Sequence, residues 1–197
     1  MSNFTFNEEF HCYELDGKPL PSVTRILKPL YDFSAVHPDV LKRAGEFGTA
    51  VHKTIELYLR DDLDEDSLDE NLYNPLLAFK AWQADNYEFH DRLFTIETPD
   101  YHAKLKYAGT ADLTCSDSVI DIKSRPVNML TDPLQLAAYD HFGSGKRARY
   151  VLELKRDASY VFTHVNKTQR QSTDHWNRFR FLLDYYHSTK EIERWRK

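Results

Sequence analysis

The segment Tyr107–Lys123, YAGTADLTCSDSVIDIK, constrains this chain more than any other. It reads as two short strands joined near Ser116-Asp117. Ala111, Leu113 and Cys115 alternate with Thr110, Asp112 and Thr114, and Ile120 and Ile122 alternate with Val119, Asp121 and Lys123. Strand side chains change faces at every residue. The spacing therefore predicts one apolar face and one face carrying Asp112, Asp121 and Lys123. A two-residue turn at Ser116-Asp117 sets Asp112 opposite Asp121, with Cβ atoms about 5 Å apart. A turn at Asp117-Ser118 sets Asp112 opposite Lys123 and keeps the same face. An odd-length turn would bury the charges and expose the isoleucines.

Two carboxylates at that spacing repel each other unless a cation lies between them, and a hard divalent ion with oxygen ligands is the natural one. A lysine facing the same point can hold a phosphate oxygen or orient a water as a point charge. Those groups suit metal-assisted phosphodiester hydrolysis. The same residues also fit a solvated strand face whose Lys–Asp pair contributes little. Spacing alone leaves both readings open.

Further motifs flank the pair. Gly109-x-x-Asp112, Asp121-x-Lys123 and Gln135-x-x-x-Tyr139 follow one another, and Gly48-x-x-x-His52 stands upstream. Pro21-Ser22-Val23-Thr24 with Ile26-Leu27 precedes them all. In this order, from about Leu20 to Tyr139, the chain resembles the RecB-like branch of the PD-(D/E)xK nucleases. Its start resembles phage-type and mitochondrial-genome-maintenance-type exonucleases. The resemblance implies an α/β, restriction-endonuclease-like core with a mixed four- to five-stranded sheet flanked by helices. It implies Mg²⁺ or Mn²⁺ held by Asp112, Asp121 and the backbone carbonyl of Ile122, an Asp–Asp–Lys variant that this branch uses. It gives Lys123 the attacking water, points His52 into the site as a ligand, and sets Gln135 and Tyr139 against the nucleic-acid strand. The implied activity is that of a DNA exonuclease acting on single strands or ends in replication, recombination or repair, with proteins of those processes as partners. The alternatives are a non-catalytic nucleic-acid-binding or scaffolding protein on the same fold, and a structure-selective endonuclease.

Length and charge bound these readings. A chain of 197 residues supports a substantial core and one domain as the default. The expectation is a single nuclease domain over 1–197, with an N-terminal helical part, about 20–90, packed on a core, about 91–197. The net charge of −5 is unevenly spread. Residues 1–100 hold 9 basic against 20 acidic residues, a net of −11; residues 101–197 hold 17 against 11, a net of +6. A basic half can bind phosphates within an acidic whole, because the local field governs. Two cysteines, Cys12 and Cys115, are too few for a four-cysteine iron–sulfur cluster or a disulfide framework. No stretch has the roughly 20 apolar residues of a membrane span. MSNFTFNEEF lacks the basic-then-apolar order of a signal peptide. A cytoplasmic location, in a bacterial or phage-infected cell, is expected.

Along the rest of the chain, Phe10–Leu15 reads as a strand entering a turn at Asp16-Gly17. Ser22 reads as the N-cap of a short helix whose N-terminus, with Thr24 and Arg25, can receive a phosphate. Val40, Ala44, Phe47, Val51, Ile55 and Tyr58 predict an amphipathic helix of about 20 residues with His52 at the edge of its apolar stripe. Asp61–Glu70 reads as an acidic loop, and Asn74-Pro75 as the start of a helix with Trp82 in the core. Leu93–Glu97 reads as a strand that makes Glu97 a third carboxylate beside Asp112. Arg125 stands where it can contact the scissile backbone. Asp132-Pro133 reads as a helix N-cap and first turn. Arg149–Leu154 and Tyr160–Val165 read as strands, and Asp174–Lys197 as a basic, aromatic-rich helix.

Overall fold

In the computed structural model, residues 3–90 and 94–195 are described. The first strands form a small antiparallel sheet of β1 (Phe4–Asn7), β2 (Cys12–Leu15) and β3 (Lys18–Leu20). Asp16 and Gly17 both take left-handed φ, 52° and 72°, between β2 and β3. Two such residues match the right-handed twist of a tight hairpin. Sequence reading did not anticipate β1, whose Phe6 stacks on Tyr13 at 4.7 Å.

Four helices follow: α1 (Val23–Leu27), α2 (Pro38–Leu59), α3 (Glu70–Asp85) and α4 (Tyr87–His90). The remaining elements are β4 (Thr95–His102), β5 (Tyr107–Thr114), β6 (Ser118–Lys123), α5 (Asp132–Asp140), β7 (Ala148–Leu154), β8 (Tyr160–His164) and α6 (Gln169–Trp195). The second sheet has the order β4-β5-β6-β7-β8. β6 and β7 run parallel and the other pairs antiparallel. α5 is the crossover that a parallel pair requires. The architecture is thus α/β, with a mixed five-stranded sheet flanked by helices, as the sequence predicts.

Each sheet face carries its own apolar cluster. Val23 and Leu27 of α1, Leu134 of α5 and Phe179 of α6 cover Val119 and Val151. Val51 and Ile55 of α2 and Phe79 and Trp82 of α3 cover Leu113, Ile120, Ile122 and Leu152. β6 is therefore buried on both sides, the usual state of a strand with helices above and below.

Several boundaries differ from the sequence reading. α3 starts at Glu70, because the Asp69 carboxylate caps it by accepting from the Asn71 N–H. Pro75 consequently lies inside the helix. α5 starts at Asp132 after Thr131, and the Asp132 carboxylate accepts from the Asn128 N–H and from Arg125. The acidic run 61–70 contains a 3₁₀ turn, Glu65–Ser67, tied to α3 by Lys80 at 2.6 Å from Glu65. α6 starts at Gln169, five residues before the expected Asp174. Only the second half of the α2 stripe is covered, since Val40 is 50% exposed. Leu93, Arg196 and Lys197 lie outside the described residues, as do the side chains of Ile192 and Arg194. Among the described residues, no helix is long and apolar enough to cross a membrane.

Candidate active site

The hairpin register follows the Ser116-Asp117 turn. Leu113 pairs with Ile120 and Thr114 with Val119, and the Cys115 N–H donates to the Ser118 carbonyl. The ladder stops there, one residue short of Asp112. Beyond that point the Asp112 carboxylate lies in the gap and accepts a short hydrogen bond from the Ile122 N–H. A side chain thus replaces the main-chain partner that β5 would have offered.

On the other side of β5, Ile96 pairs with Leu113 and Thr98 with Ala111, which sets Glu97 opposite Asp112. Glu97 has φ of 44°, a left-handed conformation that is strained for a residue with a Cβ. The apolar side of β5 changes over at this same point. Tyr107 and Gly109 face α5, through Tyr107 Oη to the Ala138 carbonyl and Gly109 against the Tyr139 ring. Ala111 belongs to that same cluster, whereas Leu113 belongs to the α2/α3 cluster. This corrects the expectation that Ala111 and Leu113 share one face. Asp112, Asp121 and Lys123 approach one another through a break in the alternation instead of along one pleated face.

The break opens Asp112 toward α2. His52 Nδ1 lies 3.2 Å from Asp112 Oδ1 and 3.4 Å from Glu97 Oε1. One ligand atom each from His52, Glu97 and Asp112 falls within 4.8 Å of the others, a spacing that could hold a metal ion. Burial pulls the imidazole pKa down, but the facing Asp112 and Glu97 carboxylates reverse this and push it up to about 10. A proton on His52 is thus one cation that satisfies the two acids. Burial raises the Glu97 pKa, whereas the His52 and Lys123 charges hold Asp112 below the usual carboxylate range despite its burial.

Asp121 and Lys123 lie on the α5 side. Lys123 Nζ is 2.6 Å from Asp121 Oδ2, and it donates to Gln135 Oε1 at 3.3 Å. Gln135 Nε2 in turn donates to the Tyr139 hydroxyl at 3.0 Å. Asp121 is 1% exposed, and its Oδ2 has no well-aligned hydrogen bond although the ammonium is close. Burial pushes its pKa up to about 7, with Lys123 opposing and Asp112 adding to the rise. The Asp121 and Asp112 carboxylates also raise the Tyr139 hydroxyl pKa, after burial itself. Asp121 is not in the tight His52–Glu97–Asp112 group. The two sub-clusters are joined electrostatically and through Ile122, whose N–H bonds Asp112.

The other expected residues are peripheral. Arg125 forks onto the buried Asp132 carboxylate at 2.6 and 3.0 Å. The Ser22 hydroxyl caps α1 through the Arg25 N–H and lies 3.1 Å from Thr24 Oγ1. α1 has only five residues and packs beside Gly109 through Val23. Sequence reading missed Tyr13, a buried residue of the small sheet whose hydroxyl lies 2.9 Å from Thr110 Oγ1, two residues before Asp112. Nothing in the local sequence marks that contact, because the partners are 97 residues apart.

The donor set suits a hard divalent cation: carboxylate oxygens with one imidazole. Asp121 stands apart from that set, its buried Oδ2 paired with the Lys123 ammonium at 2.6 Å. No protein-family model matches the chain, and no curated protein matches it. Among solved structures it is similar to the crystal structure of an alkaline exonuclease (LHK-Exo) from Laribacter hongkongensis. The identity is 8% and the TM-score 0.38, over 87% of this chain and 93% of that one. At that level the likeness assigns no residue, and the site stands on its own geometry.

Proposed function

We propose that this chain is a divalent-metal-dependent deoxyribonuclease of the PD-(D/E)xK type, RecB-like branch. On this reading it is an exonuclease acting on single-stranded DNA or DNA ends, and 1–197 is one nuclease domain with a restriction-endonuclease-like core. Its N-terminal helical part, about 20–90, packs on the core, about 91–197. The supporting observation is that His52, Glu97 and Asp112 meet the buried Asp121–Lys123 pair at the point where β5 parts from β6.

Asp112, Asp121, Glu97 and His52 would hold Mg²⁺ or Mn²⁺, with the Ile122 carbonyl as a further oxygen. When bound, such an ion polarises a phosphate oxygen and lowers the pKa of a water. Lys123 keeps its ammonium charged beside Asp121 and orients the attacking water or a phosphate oxygen. Gln135 accepts from Lys123 through Oε1 and donates to the Tyr139 hydroxyl through Nε2, so one hydrogen-bonded row runs from the ammonium to the phenol. Ser22, Thr24, Arg25 and Arg125 would contact phosphates further out.

The test is digestion of end-labelled single- and double-stranded DNA with Mg²⁺ and then with EDTA. Metal-dependent release of nucleotides from an end is the expected result. A closed circular single strand should survive; its cleavage would favour an endonuclease. Loss of cleavage with retained binding in Asp121→Ala and Lys123→Ala separates an enzyme from a non-catalytic binder or scaffold. Normal cleavage by both variants would refute the site.

A further inference from the structure

Tyr31 and Phe33 form an aromatic step between the 3₁₀ turn that follows α1 and the start of α2. Tyr31 leaves a 3₁₀ turn in extended conformation and packs on the α1/α5/α6 cluster, as Val127 does. Two residues on, the Phe33 ring stacks on Tyr31 with centroids 5.6 Å apart and planes within 9°. The segment is fixed by its own hydrogen bonds. The Asp32 carboxylate accepts from the Ser34 N–H at 3.0 Å, and the Val36 N–H donates to the Phe33 carbonyl at 2.9 Å. Phe33 is nevertheless 47% exposed. A ring pinned on one side and open to water on the other is a stacking surface that needs no ordering on binding.

The neighbouring cation completes the feature. Arg125 follows Lys123 by two residues and is locked by its fork onto Asp132, which is 0% exposed. Its side chain is still 41% exposed. The Tyr31 hydroxyl belongs to the electrostatic surroundings of that guanidinium. Tyr31, which backs the open ring, thus lies within electrostatic reach of Arg125, and Arg125 follows the end of β6, where Lys123 sits; the guanidinium is fixed by Asp132 and keeps an exposed side. Unpaired nucleic acid offers the matching chemistry, a flat base with a phosphate beside it. In a duplex the base faces are already stacked on their neighbours.

We propose that Tyr31 and Phe33 form a base-stacking subsite that receives one unpaired base of a single-stranded DNA substrate while Arg125 meets an adjoining phosphate. The proposal rests on the nucleic-acid reading above and deepens it, because it makes the single strand the preferred substrate form. Phe33 supplies the open face, Tyr31 backs it, and Asp132 keeps Arg125 in place.

The test measures binding of a labelled single-stranded oligodeoxynucleotide in EDTA by fluorescence anisotropy, with an abasic residue moved along the strand. Wild-type protein should lose affinity sharply at one abasic position. Phe33→Leu should weaken binding of the intact strand about tenfold and flatten that profile, whereas Phe33→Trp should preserve both. A flat wild-type profile, unchanged affinity in Phe33→Leu, or no single-strand binding overturns the subsite. So does a fall in oligomeric mass in Phe33→Leu, which would make the ring a contact between copies. Mg²⁺-dependent cleavage by the wild-type protein, measured in parallel, tests the nuclease reading separately. Cleavage can persist while the subsite fails, and a binder without cleavage can keep the subsite.

Discussion

Asp121 holds a carboxylate that water barely reaches, with a single ammonium beside it. Replacing it with asparagine keeps the shape and removes the charge. Asp121→Asn should lower metal-dependent DNA cleavage at least about 100-fold, as expected for loss of one preorganised charged group, while single-strand binding stays within a few-fold. Rapid digestion by that variant would remove Asp121 from the mechanism. His52, Glu97 and Asp112 make a different prediction. If they hold an ion, Mg²⁺ or Mn²⁺ should raise the unfolding free energy by about 2.7 kcal/mol at a hundredfold excess over Kd. Thermal melts of Glu97→Gln should show a much smaller metal-dependent rise. Equal rises in both proteins would place the ion elsewhere. Of these residues, Asp112, Asp121 and Lys123 were legible as candidates from the two strands, but strict alternation misplaced how they meet, because Ala111 and Leu113 pack on opposite clusters and Asp112 reaches the Ile122 N–H through a break in the ladder. Glu97 was legible only as a neighbour. Its opposition to Asp112 depends on a left-handed residue in the middle of a strand, which no pattern of apolar residues reveals.

At the level of elements, α5 is the piece on which the site leans. All nine of its residues are buried. At its C-terminal end Asp140, with no exposure, accepts from Arg147 Nε at 2.9 Å and Arg149 Nε at 3.0 Å. Removing one partner of a buried ion group leaves the other charges uncompensated. Asp140→Ala should therefore lose about 3–5 kcal/mol in urea unfolding, and a loss below about 1 kcal/mol would mean that water reaches the arginines. Gly109 is one point where α5 meets β5, beside the Tyr107 hydroxyl on the Ala138 carbonyl. A Cβ there would lie 2.7 Å from the Tyr139 ring. Gly109→Ala should lose about 1–3 kcal/mol through overpacking, with Tyr139 displaced. Gly48 gives the opposite result. A Cβ on Gly48 would meet the Ser124 hydroxyl at an ordinary 3.6 Å. Gly48→Ala should therefore raise stability by about 1 kcal/mol through helix propensity. Crowding within the folded chain therefore does not require a glycine at position 48.

Across the whole molecule, charge and layering work together. Residues 101–197, with a net of +6, supply β5 to β8, α5 and α6, while residues 1–100, at −11, supply most of the opposite helical layer. Binding should therefore be local and salt-dependent. The slope of log affinity against log salt for a single strand should correspond to about 0.7 per phosphate contacted, and a handful of contacts is expected from so small a basic surface. A flat salt dependence would show that phosphates are not the ligand.

The sequence by itself determined the α/β class, the central hairpin and its register options, the short capped helix at Ser22 and the identity of the acidic pair and its lysine. Each is written in local periodicity or in single-residue capping chemistry. Only the tertiary structure decided which register is used, that α3 starts at Glu70, that half of the α2 stripe stays uncovered, that His52 and Glu97 reach Asp112, and that Tyr13 reaches Thr110. Those outcomes depend on contacts between residues far apart in the chain. Their free energy resides in packing and desolvation between elements, and neighbouring residues carry no trace of it.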